Sequence, residues 1–332
     1  MSKADAVAAI LVAGATLYAV FGGADFGAGV WELLALRSRD RALRERIERR
    51  VMLSLGPVWE ANHVWLIFTL VVLWTGFPEA FAAIMETLYL PLALAALGIV
   101  LRGSGFAFGH TFTAAGAQRA NAVFAVSSLI TPFFLGCVVG AIAAGEVEAG
   151  GTGSPFGWVG PLPIVIGVLF VSSCAYVASV FLLDDCRRAG EDDLEAYFLK
   201  RSIAAAVLAG ALAAAGLIVL RSDARAIFDG LFDEGLPFVI ASALLGLLTL
   251  GGLVRGWSRA LRPLAIGAVV AVVAGWAVAQ YPYLLPETLT VDQGAGDDAT
   301  LTALIVVFVL ALAIVGPALV LLFRLAQRQA LD

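Results

Sequence analysis

The chain has 332 residues, of which 61% are hydrophobic and 14% are charged, and its net charge at pH 7 is -5. Soluble domains are about half apolar and about a quarter charged, so this composition excludes an ordinary water-soluble globule and indicates a protein whose solvent is the lipid bilayer. The three cysteines show neither a CxxC pair nor metal-ligand spacing, and we interpret them as small apolar fillers within helices. They are Cys137, Cys174 and Cys186.

A helix needs about 20 consecutive apolar residues to cross a bilayer, and nine segments of the chain meet this requirement. They lie at about 7–36, 51–76, 78–101, 120–145, 161–183, 201–221, 236–255, 262–281 and 300–323. We therefore predict an all-α polytopic protein in which residues 1–332 form a single integral membrane domain. The first segment is too long for the apolar region of a signal peptide, so we expect it to be retained. The polar stretches, such as 37–50 and 184–200, are predicted to be short loops.

The distribution of positive charge predicts the orientation. If the N-terminus is outside, 18 of the 21 Lys and Arg residues fall in loops or the tail on the cytoplasmic side. Only Lys3, Arg221 and Arg225 fall on the other side, where the loops are acidic. This asymmetry satisfies the positive-inside rule, and it predicts an outer N-terminus and a cytoplasmic C-terminus.

Four acidic residues lie at bilayer depth within the predicted segments, where an ionisable group is costly and indicates function by default. At a rise of about 1.5 Å per residue, Asp25 lies about 16 Å, Glu32 about 6 Å and Glu60 about 14 Å from the cytoplasmic end of their segments. Glu86 lies about 12 Å from the outer end by the same rise. Asp25, Glu32 and Glu60 are interpreted as a ladder of carboxyl groups that admits protons from the cytoplasm. The alternative is that these acids only form hydrogen bonds between helices.

The chain has two histidines, and each is a candidate haem ligand. His63 follows Glu60 by three residues, so the two side chains are neighbours on one helix face. His63 could share a proton with Glu60 or ligate a haem iron. The second histidine, His110, lies in a predicted cytoplasmic loop, so the pair does not form a bis-histidine site. We favour a polar histidine packed between helices, and we predict no metal site in this chain.

The first segment also carries a glycine-rich run, Gly22–Gly29. Gly23 and Gly27 form a GxxxG motif, which allows two helix backbones to approach closely. A phosphate-binding loop is excluded because no strand precedes the run and no Walker lysine follows it.

Four stretches of the sequence resemble one known family. Gly22–Leu34 (GGADFGAGVWELL) resembles the first-helix signature of cytochrome bd oxidase subunit II, and Gly56–Ile67 (GPVWEANHVWLI) resembles the second-helix signature even more closely. The second motif is long and unusual, which makes it specific. Two weaker matches are Leu101–Phe106 at the exit of the third segment and Tyr281–Pro286 in the last outer loop.

The resemblance implies a complex of two subunits in a bacterial or archaeal plasma membrane. In this family subunit I carries the haems, of types b and d, and the quinol site, while subunit II is a similar bundle without haem. The complex oxidises quinol, reduces dioxygen to water and takes its protons from the cytoplasm. A bound quinone or lipid in subunit II is a further expectation, whereas a nucleic-acid partner is not expected.

Site residues follow from the motifs. Glu60 falls where the family has an acid implicated in proton delivery, and Asp25 matches the acid of the first signature. Trp59, Asn62 and Arg102 match further motif positions. Some relatives carry another acid at the position of Gly22, so any role of that acid is absent or shifted here.

Two other functions stay open. The chain could be a structural membrane scaffold whose acids never change protonation. It could also be a secondary transporter in which the buried acids bind coupling protons, although the sequence shows no paired, interrupted half-helices of the kind found in such transporters.

Overall fold

The computed structural model describes residues 2–55, 59–108, 114–151 and 153–327. The helices are α1 Lys3–Leu17, α2 Gly23–Ala35, α3 Arg41–Leu55, α4 Trp59–Gly76, α5 Pro78–Thr87, α6 Tyr89–Phe108, α7 Ala114–Ala143, α8 Pro161–Ala189, α9 Asp192–Asp223, α10 Arg225–Phe232, α11 Leu236–Val254, α12 Leu261–Gln280 and α13 Asp298–Gln327. A π-helical turn, Tyr18–Gly22, joins α1 to α2, and a 3₁₀ turn, Gly157–Val159, precedes α8. The strands β1 Tyr283–Leu285 and β2 Leu289–Thr290 form an antiparallel hairpin.

Within these ranges, seven helices are long and apolar enough to cross a membrane, and the number reaches nine if each of two bent helix pairs counts as one span. The expected all-α polytopic fold is therefore confirmed, while the orientation of the termini stays a prediction. Several helices extend past the apolar segments into charged sequence. α8, for example, continues to Ala189 and ends at Gly190, whose φ of 68° is a left-handed conformation that glycine adopts without strain.

The third predicted segment is broken, because α5 and α6 meet at an angle of 87°. Pro78 begins α5, and Leu88 leaves the helical conformation with φ -106° and ψ 27°. α5 buries Ala80, Ala83 and Thr87, which recur at helical spacing along one face. The segment is apolar on both sides of the break, so its composition alone does not reveal the bend.

The bend changes the expected position of Glu86. This side chain is exposed, and a Cβ at Gly151, in the loop between α7 and α8, would overlap its carboxylate. Glu86 therefore lies beside that loop. The expected depth of about 12 Å assumed a straight helix, and the bend between α5 and α6 removes that assumption.

The predicted loop 37–50 contains most of a helix, α3, whose axis differs from that of α4 by 58°. Ile47 and Val51 are buried in the core, with Leu43 packed against them. Their spacing of four residues gives α3 one apolar face. Its many arginines made the stretch resemble a loop.

α2 lies at the centre of the bundle, where every residue from Gly22 to Gly29 is buried. A Cβ at Gly27 would overlap the backbone carbonyl of Cys174 on α8. The Trp31 indole donates a hydrogen bond to the Ala175 carbonyl oxygen at 2.9 Å. Glycine therefore permits an approach of two backbones that any larger residue would prevent.

The residues that flank the β1–β2 hairpin hold the start of α1. Lys3 and Asp298 form an ion pair at 2.5 Å, and the Tyr281 hydroxyl donates to the Asp5 carboxylate at 3.2 Å. This hydrogen bond raises the pKa of Tyr281. These contacts join the start of α1 to the end of α12 and the start of α13.

Ion pairs join the helices at the opposite, predicted cytoplasmic end. Arg262 at the start of α12 bridges Asp184 at 2.8 Å and Asp185 at 2.5 Å on α8. Arg50 of α3 pairs with Glu191, which precedes α9, at 2.6 Å. The side chains of Arg262, Asp184 and Arg50 are mostly buried, so these pairs are better shielded from salt than pairs on an open surface.

Candidate functional site

A fully buried ion pair joins α2 to α6. Arg102 donates from Nε and Nη2 to the two carboxylate oxygens of Asp25, both at 2.8 Å, and Nη2 also donates to the Asp25 carbonyl oxygen at 2.6 Å. Nη1 donates to the hydroxyl of Ser128 on α7. The exposed fractions of the two charged side chains are 1% and 0%. This planar two-bond geometry is the strongest that arginine and carboxylate form.

Small residues make room for the guanidinium group. A Cβ at Gly29 would overlap the Ser128 hydroxyl and would lie 2.8 Å from Arg102 Nη1. The Phe26 ring, whose centroid is 5.3 Å from Arg102 Cζ, covers another side of the group. The glycine-rich sequence of α2 therefore builds the cavity that holds Arg102.

The pair bears on the expected role of Asp25. Both of its carboxylate oxygens accept hydrogen bonds from a permanently charged guanidinium, so the ionised form is held by strong bonds. This arrangement favours the alternative in which Asp25 stays ionised and links helices. Sequence analysis identified Arg102 by its motif, but it assigned neither Asp25 nor Ser128 as its partner.

Glu60 occupies a different position, on the outward face of α4. Its side chain is exposed, and the described residues offer it no hydrogen bond or ion pair. Spacings of four and three residues align it with four apolar side chains, Val64, Ile67, Val71 and Trp74, which are also exposed. We call these five residues the α4 stripe. A carboxyl group thus ends an otherwise apolar helix face.

Glu32 lies on α2, seven residues after Asp25 and therefore on the same helix face. It is half-buried, and within the described chain it forms no ion pair. It is close enough to Arg102 and Glu48 to interact with them electrostatically. Of the three acids of the predicted ladder, Glu32 and Glu60 have no hydrogen bond or ion pair among the described residues, whereas Asp25 pairs with arginine.

The remaining motif residues of α4 face the bundle. Asn62 is buried. The Trp59 ring packs against Gly103, and its nearest atom would lie 3.9 Å from a Cβ added to that glycine. His63 is half-buried, and its Nδ1 lies 2.9 Å from the Trp59 carbonyl oxygen. The His63 ring meets the rings of Phe26 and Tyr18 edge-on, with centroids 5.5 Å and 6.1 Å away. Tyr18, Phe26, Trp59 and His63 form what we call the aromatic cluster.

Metal-binding groups do not gather anywhere in the described parts of the chain, where no three His, Cys, Asp or Glu side chains converge. His110 lies outside the described residues. Cys137, Cys174 and Cys186 are buried free thiols.

Comparison with known proteins places these features in a family. The family model for cytochrome bd terminal oxidase subunit II matches residues 4–326. A Bacillus subtilis (strain 168) protein named putative cytochrome bd menaquinol oxidase subunit II is 23% identical over 333 residues, covering 94% of this chain and 92% of the relative. A second Bacillus subtilis protein, cytochrome bd ubiquinol oxidase subunit 2, is 33% identical over 116 residues, or 34% of this chain and 32% of the relative. A chain in the structure of the bd oxidase from Geobacillus thermodenitrificans superposes with a TM-score of 0.75 and 25% identity, covering 98% of both chains.

Proposed function

The chain belongs to the cytochrome bd terminal oxidase subunit II family, and from this membership we propose that it carries cytoplasmic protons to a haem-bearing partner subunit through Glu60. It is the second subunit of a membrane-bound quinol oxidase. The observation that carries the proposal is the exposed carboxyl group of Glu60, which lacks a partner among the described residues.

The α4 stripe is the expected contact surface for the partner. An ionisable side chain that faces hydrocarbon is costly, and such groups nearly always face protein or a water-filled cavity. The exposed fractions of Ile67 and Trp74 are 62% and 61%, so the described residues leave much of the stripe uncovered. A second subunit packed on α4 would cover the apolar part of the stripe and bring Glu60 into a protein interior.

Glu60 has the properties of a proton carrier. Because no cation holds its ionised form within the described chain, its carboxyl can accept and release a proton. Glu32, which also has no hydrogen bond or ion pair among the described residues, serves on the predicted cytoplasmic side of Glu60. The two acids would then lead protons from the cytoplasm to the subunit interface.

Asp25 has a different part in the proposal. With both oxygens bound by Arg102, it acts as a fixed anchor between α2 and α6. Removing one member of such a pair would leave an uncompensated buried charge. Its contribution is to hold the helices that flank the proton route.

The haems b and d of the complex are assigned to the partner subunit. Haem iron needs an axial ligand such as histidine, methionine or cysteine thiolate. The His63 ring packs against the rings of Tyr18, Phe26 and Trp59. This aromatic packing around the histidine supports the assignment of the haems to the partner subunit. A quinone or lipid bound to this subunit remains part of the proposal.

The test uses the assembled two-subunit complex. Glu60→Gln keeps the size of the side chain and removes its ability to ionise. It should slow quinol-driven oxygen consumption by about tenfold or more, since a positioned proton donor contributes at least that much, and haem absorption should persist. Glu79→Gln, the same change at an exposed glutamate in the first turn of α5, is the matched control and should have normal activity.

Two results would count against the proposal. Normal turnover of Glu60→Gln would remove Glu60 from the proton route. Loss of haem in parallel with activity would instead favour the scaffold alternative, in which Glu60 is needed only for assembly.

A further inference from the structure

A buried tyrosine hydroxyl lies beside the proposed proton route. Tyr18 has 6% of its surface exposed, and its hydroxyl finds no hydrogen-bond partner among the described residues. Buried polar groups in native proteins nearly always have a partner, which is often an ordered water. The hydroxyl is also close enough to Asp25 and Arg102 to interact with them electrostatically.

The π turn sets the position of the Tyr18 ring. Tyr18 begins the π turn, in which Gly23 N–H donates to the Tyr18 carbonyl oxygen. A side chain on a regular helix leans toward the preceding, N-terminal turn. The Tyr18 ring instead covers Gly22, four residues further along the chain, where an added Cβ would lie 2.6 Å from the ring. The ring therefore extends toward Phe26, whose centroid is 6.5 Å away. π turns of this kind are frequent at functional sites.

His63 presents a complementary atom. A carbonyl oxygen can only accept, so the 2.9 Å contact with the Trp59 carbonyl requires that Nδ1 carries the hydrogen. In the neutral ring, Nε2 is then an acceptor, and it has no partner among the described residues. The Tyr18 and His63 rings meet edge-on, 6.1 Å apart and at 75°.

We propose that Tyr18 and His63 hold an internal water molecule, and that this water passes protons from the cytoplasmic side through His63 to Glu60. The inference rests on the proposed function and adds the step that precedes Glu60 in the route. The Tyr18 hydroxyl and His63 Nε2 supply two of the polar contacts that a buried water needs. The route thereby passes beside the Asp25–Arg102 pair without using it.

The proton transfer needs no other reactant. The Tyr18 hydroxyl accepts a hydrogen bond from the protonated water and reorients when the proton leaves. An O–H bond of that water breaks as an Nε2–H bond forms on His63. The imidazolium then releases the same proton from Nε2 to the Glu60 carboxylate, either directly across one turn of α4 or through a second water, and the neutral ring is restored. Glu60 in turn releases the proton to the partner subunit.

The experiment compares three variants in the assembled oxidase. Tyr18→Phe removes the hydroxyl and with it the ordered water, and it should lower oxygen consumption roughly three- to tenfold, which is less than the loss in Glu60→Gln, because the carboxyl group of Glu60 is retained. His63→Gln removes Nε2 and tests the same site without changing Tyr18. The Tyr18→Phe, His63→Gln double variant should be no slower than the slower single variant, since both changes remove one water.

The control is Tyr176→Phe, at an equally buried tyrosine on α8 that belongs to a different core cluster. It should keep full activity. A high-resolution structure of the complex should show density for the water between Tyr18 Oη and His63 Nε2, and Tyr18→Phe should lose that density.

The outcomes separate this inference from the proposed function. If Glu60→Gln is slow while Tyr18→Phe and His63→Gln turn over normally, the water site is refuted and the proposed function stands. If none of the three is slow, both are refuted. Additive losses in the double variant, or a site without water density in the active complex, would also overturn the inference.

Discussion

Replacement of Arg102 tests the role assigned to the buried ion pair. Arg102→Met keeps the length of the side chain and leaves Asp25 as an unpaired charge in the bundle centre, with an exposed fraction of 0%. Breaking a buried pair from one side costs about 3–5 kcal/mol. Three hydrogen bonds to Asp25 and one to Ser128 are lost together, so we expect a value near the upper end of that range.

The assay is thermal inactivation of the detergent-solubilised complex, followed by haem absorption and by oxygen consumption. Arg102→Met should lose the assembled complex at a markedly lower temperature. The Asp25→Asn, Arg102→Met double variant removes the uncompensated charge as well, so it should recover a large part of the stability. Gly29→Ala should also lower the inactivation temperature, but by less than Arg102→Met, because its Cβ would overlap the Ser128 hydroxyl and crowd the guanidinium.

Asp25→Asn distinguishes an anchor from a proton carrier. An anchor role predicts that the Asp25→Asn complex is less stable than the unsubstituted complex, while its oxygen consumption per assembled complex stays close to normal. A variant that is as stable as the unsubstituted complex but has lost proton-coupled turnover would refute the anchor and would restore Asp25 to the proton ladder.

Two further predictions concern packing. A cysteine at position 67 (Ile67→Cys), in the α4 stripe, should cross-link to the partner subunit, whereas Ile218→Cys, at a position of α9 that is also exposed, should react only with soluble or lipid probes. The native thiols are buried and do not interfere. The reverse pattern of cross-linking would place the partner elsewhere. Gly27→Val should destabilise the bundle by about 3 kcal/mol or more. The valine side chain would overlap the Cys174 carbonyl, and overpacking of this kind is costly. Unchanged thermal stability would contradict the close approach of α2 and α8.

The sequence was sufficient for the features that depend on length and local pattern. Apolar runs of about 20 residues give the spans, and the acids stand out because the bilayer makes them costly. The glycines of α2 indicated a close helix contact before its partner on α8 was known. These inferences need no knowledge of which helix lies beside which.

Contacts between distant helices were beyond the reach of a single sequence. Asp25 and Arg102 are separated by 77 positions, and their pairing depends on the relative rotation of α2 and α6, which two nearly uniform apolar stretches do not reveal. The same holds for the outward direction of Glu60. The break between α5 and α6 was missed because apolar residues continue across it, and the π turn at Tyr18 leaves no mark in composition.

The most direct test of the central claim is the rate of proton uptake during a single turnover of the fully reduced complex with oxygen, measured with a pH-sensitive dye. In Glu60→Gln, uptake should be delayed about tenfold or more relative to Glu79→Gln, while oxygen still binds to the reduced complex at its normal rate. Uptake at the same rate in both variants would contradict the claim that protons reach the oxygen-reducing site through this subunit.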